Sequence, residues 1–389
     1  MAIKWKQFKL VDLIDVSNNK VTSFDGEKEY IATGDIHEDR IASHQSVTFF
    51  NKPSRADLIF TEKDLLFAKM KATTKVLSGK KEFEDKIFST GFYIFSPKEN
   101  VSKSYLYFFL ISNGFNLQKD SYCKGVTMSA LSNEGLRKIK INIPINKDEE
   151  PDYEEQEKIA SLLEEAEDLK NKRAEANQKM EDLIPALFVK MFGDPVTNTM
   201  DFDQILLSEL GRLDRGKSQH RPRTAPELFG GKHPFVQTGD VSNAGWRLSE
   251  YNQTYSDIGL DQSKLWPKET LCITIAANIA KTTILNFAGC FPDSVVGFTA
   301  NKERSNVDYV QGLFIFLQKG LEAMAPQAAQ QNINLQILRS IKVPNPPLEL
   351  QNKFADLVKE IEIQKDKQKQ STQMVDELFN AVMAKSFAE

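Results

Sequence analysis

The chain has 389 residues, 41% of them hydrophobic, which is enough for about two or three domains with cores of their own. Its three cysteines and four histidines are scattered without metal-ligand or disulfide-framework spacing, which argues against a structural metal and favours a reducing cytoplasm. The N-terminal sequence has no apolar run typical of a signal peptide, and no stretch approaches the roughly 18 apolar residues of a membrane span.

The net charge of −4 hides an uneven distribution along the chain. Residues 1–147 carry 23 basic and 17 acidic side chains, and residues 202–347 carry 15 and 13. In contrast, residues 148–195 carry 6 basic and 15 acidic side chains, and residues 348–389 carry 6 and 8. Two mildly basic regions therefore alternate with two acidic segments, and the whole-chain charge is a poor guide to the partners of either region.

The first predicted element is a mixed globule over residues 1–150. Short runs of β-branched and aromatic residues bounded by Gly, Pro or Asn, such as "GFYIFS", predict its strands. A helical spacer over residues 151–195 follows, since apolar residues recur there at steps of three and four. A helix over residues 154–192 would be about 58 Å long, and Pro185 should kink it or split off its last turn.

The same order is then repeated by a second globule over residues 196–347 and a second helical spacer over residues 348–389. The segment "YIATGDI" resembles "PFVQTGDV", and "STGFYIFSPKENVSKSYLYFFL" resembles "DSVVGFTANKERSNVDYVQGLFIFL". A shift of 195 residues superposes the apolar positions of the two helices. Such self-similarity indicates two related halves, each a globule followed by a helix.

The superposed helices share a heptad seam, which is typical of a coiled coil. Both seams become polar at the same place, at Arg173 and Ala176 in the first helix and at Gln368 and Ser371 in the second. Only the short segment "DPVTNTM" separates the first helix from the second globule, so the second helix must run back antiparallel if the seams bury each other. The predicted seam residues are Ile159, Leu162, Ala166, Met180, Leu183, Leu187, Phe354, Leu357, Ile361, Val375, Leu378 and Val382.

The expected fold class is therefore α+β. It consists of two mixed α/β globules separated by a two-helix antiparallel coiled coil, with a pseudo-twofold internal repeat.

This arrangement resembles the DNA-specificity subunit of type I restriction–modification enzymes over essentially the whole chain. The most specific part is the central segment, which opens with "EEQEKIA" and closes with "LFVKMFGDP". The proline-to-helix junctions "INIPINKDEEPDYEEQEKIA" and "IKVPNPPLELQNKFA" also resemble that family's exits from its recognition domains.

The resemblance implies a function and a set of partners. Each globule would recognise one half of a split double-stranded DNA sequence, and the helices would fix the spacing and recruit two methyltransferase subunits. The chain itself would have no active site and no metal. S-adenosylmethionine, ATP and magnesium are expected on the partner subunits, which include the restriction and translocase subunits.

Two basic segments of the first globule are candidates for DNA contact, because Lys and Arg near polar loops are what a reader domain requires. The segment "YCKGVTMSALS" contributes Lys124 and Thr127, in a place that resembles the family's G-[ST]-x-x-x-x-L-S segment, and a helix-capping turn is the alternative. The segment "AKMKATTKVLSGKK" is either a DNA-facing loop or a solvated hairpin balanced by nearby acids. Its lysines are Lys69, Lys71, Lys75, Lys80 and Lys81.

The second globule has a denser basic cluster in "RGKSQHRPR", and two polar segments after it. Asn278 and Lys281 lie in "AANIAKTT". Gln330, Gln331 and Asn332 lie in "APQAAQQNINLQ", where Gln and Asn could pair with adenine edges or could simply form a solvated turn. The residues of the basic cluster are Arg215, Lys217, Ser218, His220, Arg221 and Arg223.

The segment "GRLDRGKS" at 211–218 also fits the phosphate-binding loop pattern G-x-x-x-x-G-K-[ST]. A working phosphate loop opens a long helix, and Pro222 makes such a helix improbable here. Aligning the two halves places Gly211 opposite Ile14, so a glycine that the pattern requires has no counterpart. We therefore expect the beginning of the second recognition domain rather than a nucleotide site.

Two further features favour structural interpretations. "NPPL" at 345–348 approaches the [DNS]-P-P-[YFW] motif of adenine methyltransferases, but Leu348 cannot stack on a flipped base. Gly34-Asp35 and Gly239-Asp240 suit turns that end strands rather than catalytic acids. The alternative function of a different class is a coiled-coil adaptor that binds proteins and does not read DNA.

Overall fold

The computed structural model describes residues 3–17, 19–37, 40–125, 129–276, 278–324 and 333–387. The chain divides into two compact units. Unit 1 comprises Met1–Arg173 and Ser371–Glu389, and unit 2 comprises Ala174–Gln370. The two predicted spacers are therefore not units of their own, because each long helix contributes residues to both units.

The α-helices of unit 1 are α1 (Leu10–Leu13), α2 (Lys103–Ile111), α3 (Asn113–Ser121), α4 (Asn133–Leu136), α5 (Tyr153–Glu181) as far as Arg173 and, from Ser371, the end of α12 (Leu348–Phe387). The strands are β1 (Trp5–Lys9), β2 (Ile14–Val16), β3 (Lys28–Ile31), β4 (Ile36–His37), β5 (Arg40–Ile41), β6 (Gln45–Val47), β7 (Ala56–Ile59), β8 (Leu65–Ala68), β9 (Val76–Ser78), β10 (Ile87–Ser89), β11 (Phe92–Pro97), β12 (Cys123–Lys124), β13 (Ala130–Leu131) and β14 (Lys140–Pro144).

Two sheets form the body of unit 1, with strand orders β6-β3-β10-β7 and β2-β11-β8-β9. Strand β8 and the first four residues of β11 are continuous apolar runs, and their buried side chains face cores on both sides. One core lies between the second sheet, α2 and α3, and includes Phe67, Tyr105 and Phe115. The other core lies between the two sheets and includes Phe60 and Phe88.

The α-helices of unit 2 are the end of α5 from Ala174, α6 (Leu183–Phe192), α7 (Leu207–Leu210), α8 (Thr238–Asn243), α9 (Asp257–Asp261), α10 (Val307–Met324), α11 (Leu335–Ser340) and, as far as Gln370, α12 (Leu348–Phe387). The strands are β15 (Gln204–Leu206), β16 (Gly211–Arg215), β17 (Phe229–Phe235), β18 (Arg247–Leu248), β19 (Gln253–Tyr255), β20 (Leu271–Thr274), β21 (Thr282–Leu285), β22 (Val295–Ala300) and β23 (Lys342–Pro344).

The main sheet of unit 2 has the order β16-β22-β20-β21-β18. Helix α10 packs its apolar side chains against this sheet and against α6, so that Phe188, Tyr309 and Phe354 lie in one buried aromatic group. A second core on the other face of the sheet contains Trp266 stacked on Phe291, with ring centroids 4.9 Å apart.

Strand pairing confirms the internal repeat. β2 pairs with β11 antiparallel and places Ile14 opposite Pro97, whereas β16 pairs with β22 antiparallel and places Gly211 opposite Ala300. In each unit a four-residue helix, α1 or α7, directly precedes the first strand of the pair. The register is the one predicted from sequence, in which Ile14 and Gly211 are equivalent.

The long helices pair antiparallel within each unit. In unit 1 the Lys170 amine lies 3.5 Å from the Asp376 carboxylate, and in unit 2 the Lys365 amine lies 2.9 Å from the Glu181 carboxylate. Both pairs have the same sum of residue numbers, which is the signature of one antiparallel register. The predicted antiparallel coiled coil is thus confirmed in each unit.

The predicted break at Pro185 is also confirmed. Helix α5 ends at Glu181 and α6 begins at Leu183. Pro185 therefore lies in the first turn of a new helix, where its missing N–H group removes no helical hydrogen bond.

The predicted seam needs a correction, because several of its residues lie on the exposed face. Leu162, Leu183 and Leu378 are 59%, 44% and 52% exposed. At each of these positions the next residue is packed instead, namely Leu163, Ile184 and Phe379. The reason is that the helices pack on the core of their own globule as well as on each other, which turns the buried face by one residue.

The other seam positions agree better with the prediction. Four are buried, and the other five are partly buried. The buried residues are Ile159, Ala166, Phe354 and Val375. The partly buried residues are Met180, Leu187, Leu357, Ile361 and Val382.

No helix in the described ranges is long and apolar enough to cross a membrane.

Candidate nucleic-acid interface

The loop of residues 69–75, between β8 and β9, joins several segments at one edge of unit 1. The Lys69 N–H donates to the Gly91 carbonyl at 2.9 Å, and the Leu131 N–H donates to the Lys69 carbonyl at 2.8 Å. The Ala68 N–H closes the loop by donating to the Lys75 carbonyl at 3.0 Å. We name this surface the unit 1 loop edge, and it comprises residues 33–35, 55, 69–75, 89–91, 123–125 and 129–131.

Two of the predicted lysines lie exposed on the unit 1 loop edge. Lys71 is exposed at the tip of the loop. Lys124 is exposed in β12, with its amine 2.8 Å from the carboxylate of Glu134. Glu134 also lies 3.0 Å from the Lys138 amine, and hydrogen bonds from the two lysines lower the pKa of Glu134 to about 2. The group keeps a surplus of positive charge, as phosphate binding would require.

Two other predicted lysines of this edge are held by the protein itself. The Lys69 amine donates to the Thr90 carbonyl at 2.9 Å and lies 4.3 Å from the ring centroid of Tyr93. Burial lowers the pKa of Lys69 below its usual range. The Lys75 amine donates to the Thr33 carbonyl at 2.6 Å. These bonds fasten the loop to its neighbours, which leaves the two amines less accessible than that of Lys71.

Lys80 and Lys81 do not belong to the unit 1 loop edge, which corrects the prediction that five lysines share one loop. β8 and β9 pair antiparallel with Phe67 opposite Val76 and Leu65 opposite Ser78. Lys75 therefore lies at one end of β9 and Lys80 at the other. Lys80 instead lies 5.9 Å from the ring centroid of Phe83.

Arg55 is a candidate that the sequence did not reveal. Its carbonyl accepts a hydrogen bond of 2.8 Å from Thr90 N–H, and Thr90 in turn accepts from Lys69. The side chain of Arg55 is exposed. The pairing of β7 with β10 brings this residue to the edge, a contact between distant parts of the sequence that no local charge pattern could have shown.

The structure shows why the second globule contains the sequence "GRLDRGKS". Its first five residues form β16, and the Gly216 N–H then donates to the Val295 carbonyl at 2.8 Å. A Cβ atom on Gly216 would lie 2.3 Å from the carbonyl oxygens of Phe291 and Pro292. Gly216 therefore allows two backbone segments to approach closely. The next helical turn is the 3₁₀ turn Pro226–Leu228, so no helix begins at Ser218 as a phosphate-binding loop requires.

The basic residues of "RGKSQHRPR" differ in their exposure and in the contacts that they make within the protein. Arg215 is exposed, and Lys217 is partly buried. The Arg221 guanidinium folds back to donate to the Ser218 and His220 carbonyls at 2.9 and 2.8 Å. The Arg223 guanidinium lies 2.9 Å from the Asp293 carboxylate.

Two members of this predicted cluster are poorly placed for a ligand. Ser218 is buried, and the His220 ring lies 3.9 Å from the Glu227 carboxylate. Arg215, Arg221 and Arg223 are all exposed, but the guanidinium groups of Arg221 and Arg223 make the bonds given above.

In unit 2, the described part of residues 275–281 repeats three backbone hydrogen bonds of the loop of residues 69–75. The Ile275 N–H donates to the Ser294 carbonyl, and the Ile333 N–H donates to the Ile275 carbonyl, both at 3.0 Å. The Thr274 N–H donates to the Lys281 carbonyl at 3.0 Å, as Ala68 does to Lys75. Lys281 and Lys75 are therefore equivalent.

The side chains of Asn278 and Lys281 are exposed on this loop. The loop lies beside the residues that follow β16, because the Gly216 and Ile275 N–H groups bond to neighbouring residues of one segment, Val295 and Ser294. We name this surface the unit 2 loop edge, and it comprises residues 215–217, 292–295, 333 and the described part of 275–281. Predicted residues that lie outside the described ranges are Thr127, Gln330, Gln331 and Asn332.

The carboxylates and thiols singled out in the sequence have structural roles. Asp35 accepts hydrogen bonds from the Ala32 N–H at 2.8 Å, and Asp240 accepts from the Gln237 N–H at 2.8 Å, so both close turns after strands. Cys272 and Cys290 are buried, which raises the pKa of both thiols. Within the described ranges, no group of three or more His, Cys, Asp or Glu side chains could hold a metal ion.

The family model described as "Type I restriction modification DNA specificity domain" matches the chain twice, over residues 2–179 and 201–375. The two matches coincide with the two halves of the internal repeat. The chain belongs to the family of type I restriction–modification DNA specificity domains.

Similar proteins support the same assignment. A protein of Methanocaldococcus jannaschii, assigned as the specificity subunit of the type I restriction enzyme MjaX, is 24% identical over 304 residues, which cover 74% of this chain and 67% of that protein. The HindI specificity subunit of Haemophilus influenzae is 23% identical over 260 residues, or 64% of this chain and 52% of that subunit. The chain thus spans about half to two thirds of these relatives.

The fold is similar to that of a chain solved in a study of complex assembly and conformational transition of the type I restriction–modification system. The two share a TM-score of 0.67 at 18% identity, and the match covers 100% of this chain and 99% of that chain.

Proposed function

We propose that this chain is the non-catalytic DNA-recognition subunit of a type I restriction–modification complex, and that each unit recognises one half of a split double-stranded DNA sequence. The observation that carries the proposal is the recurrence of the loop edge. In each unit the described part of a loop, 69–75 or 275–281, is held by three equivalent backbone hydrogen bonds and ends in a lysine. Two similar surfaces in one chain are suited to bind two similar half-sites.

The chemistry of both loop edges suits DNA. Exposed cations supply affinity through phosphate contacts, and in this proposal they are Lys71, Lys124, Arg215 and Lys281. Polar side chains supply sequence discrimination, and the exposed amide of Asn278 can pair with the N6 and N7 edge of adenine. If "GRLDRGKS" binds phosphates, they are those of DNA.

Two methyltransferase subunits would dock on the helices, one on each unit. In unit 2 an open groove of about 630 Å³ between α6 and α12 is lined by apolar side chains that include Leu183, Leu187 and Ile361. In unit 1 the equivalent helix faces expose Leu162 and Leu378. Exposed apolar surface of this kind favours a protein partner.

The remaining chemistry belongs to the partners in this proposal. The methyltransferase subunits would carry S-adenosylmethionine, and the restriction and translocase subunits would use ATP and magnesium. The complex would act in the cytoplasm, where it would reach chromosomal DNA.

The test is to co-express the chain with its modification subunit and map methylated adenines across the host genome. The proposal predicts methylation within one split motif. It also predicts a salt-sensitive mobility shift of duplex DNA by the purified complex. A contiguous motif, or no shift under any partner condition, would overturn the proposal and favour the adaptor alternative.

A further inference from the structure

The first turn of α5 buries a polar side chain completely. Gln156 is 0% exposed, and its side-chain oxygen accepts a hydrogen bond of 3.0 Å from the Ser102 N–H. Its side-chain nitrogen donates to the Asn100 carbonyl at 3.1 Å. Because Ser102 is the residue that caps the N-terminus of α2, one amide group joins the start of the long helix to the globule of unit 1.

Unit 2 makes the same connection with Gln351, which is also 0% exposed. Its oxygen accepts from the Asn306 N–H at 3.0 Å, and its nitrogen donates to the Arg304 and Pro346 carbonyls at 3.3 and 2.9 Å. Asn306 immediately precedes α10, as Ser102 precedes α2.

The following residue repeats the pattern as well. The Ser102 hydroxyl donates to the carboxylate of Glu157, and the Asn306 side-chain amide donates to the side-chain oxygen of Asn352 at 2.9 Å. Gln156 and Gln351 are 195 residues apart, which is the shift that superposes the two helices. The two units therefore contain the same junction between a globule and the start of its long helix.

A hydrophobic residue would give a simpler contact at a buried position. Burying an amide is favourable only when its hydrogen bonds are made, whereas apolar contacts such as those of Ile159 are non-directional. A planar amide that binds an N–H and a carbonyl two residues apart permits essentially one orientation of the helix on its globule. The glutamine therefore fixes the orientation of the helix on its globule, whereas the apolar contacts stabilise the packing without fixing its direction.

We propose that Gln156 and Gln351 are positioning residues that set the direction in which each long helix leaves its own globule. They thereby set the number of base pairs that the complex accepts between the two half-sites. This inference rests on the proposed function. Neither residue is on a loop edge, so neither contacts DNA in this proposal.

The test uses the full chain in complex with the modification subunit. Methyl transfer is measured on duplexes that carry the mapped half-sites at the native spacing, and at spacings one base pair shorter and longer. Gln156→Leu and Gln351→Leu remove the hydrogen bonds at similar volume, and Gln156→Glu keeps the acceptor but removes the donor, in case the leucine variants do not fold. The control is Gln373→Leu, since Gln373 is an exposed residue of α12.

The wild type and the control should prefer the native spacing. In the variants, the preference for native over altered spacing should fall by about tenfold, as expected for the loss of one buried amide's hydrogen bonds. Discrimination within each half-site should not change.

Two other results have distinct meanings. An unchanged spacing preference in folded variants, whatever their total activity, overturns the role of the glutamines and leaves the proposed function intact. If the wild type methylates no split motif, the proposed function fails and this inference fails with it.

Discussion

The lysines of the unit 1 loop edge differ in how much of their charge is left for a ligand. The amines of Lys69 and Lys75 are bound to backbone carbonyls, so they hold the loop in place. Lys71, between them in sequence, is exposed. A run of lysines in a sequence is therefore not a run of equivalent phosphate contacts, and only the structure separates the two roles.

Lys71→Ala should weaken DNA binding without lowering the melting temperature. If Lys71 neutralises one phosphate, the slope of log affinity against log salt should become shallower by about 0.9. Equilibrium binding at several salt concentrations measures this slope. Lys75→Ala is the comparison, and it should lower the melting temperature because its amine supports the turn at Thr33. An unchanged salt slope in Lys71→Ala would remove Lys71 from the interface.

Glu134→Gln should strengthen DNA binding by about two- to fivefold, since it frees Lys124 from a surface ion pair. The pKa of Glu134, lowered to about 2 by Lys124 and Lys138, keeps the carboxylate ionised at any working pH. The gain should therefore be the same at pH 5 and pH 8. A gain that disappears at pH 5 would show that a different group controls the affinity.

At the scale of elements, the sequence predicted the helices, the repeat and the break at Pro185, because periodicity and proline chemistry are local properties. It did not predict that Lys80 leaves the loop edge or that Arg55 joins it, because strand pairing decides both. It also placed Leu162 rather than Leu163 in the buried face, because a heptad pattern does not include the globule on which the helix packs.

In the sequence, Gly216 belongs to a phosphate-loop pattern, whereas in the structure it allows two backbone segments to approach closely. Gly216→Ala should lower the free energy of unfolding by about 1–3 kcal/mol, because the new Cβ would lie 2.3 Å from two backbone oxygens. Denaturant unfolding measures the change. Gly239→Ala is the matched control in unit 2, since nothing lies within 4 Å of its Cβ position, and it should have little effect. Equal stability of the two variants would contradict the packing role.

For the whole molecule, the presence of a similar loop edge in each unit implies that each unit recognises its own half of the DNA sequence independently. Exchanging Asn278 and Lys281 for alanine should relax one half of the methylated motif and leave the other half unchanged. Methylated-adenine mapping of the variant complex makes the comparison within a single experiment. Relaxation of both halves would show that the two units do not recognise DNA separately.

Unit 1 is completed by a distant segment of the chain. Phe379, Val382 and Phe387 of α12 pack against its core, and Phe387 lies with its ring centroid 5.0 Å from that of Tyr105. During synthesis on the ribosome, residues 371–387 emerge only after all of residues 174–370, which form unit 2. Domains usually fold as they emerge, N-terminal first. Here the core of unit 1, which is translated first, stays incomplete until residues 371–387 have been made. A chain truncated after residue 370 would contain every residue of unit 2 but lack the helical turns that complete unit 1.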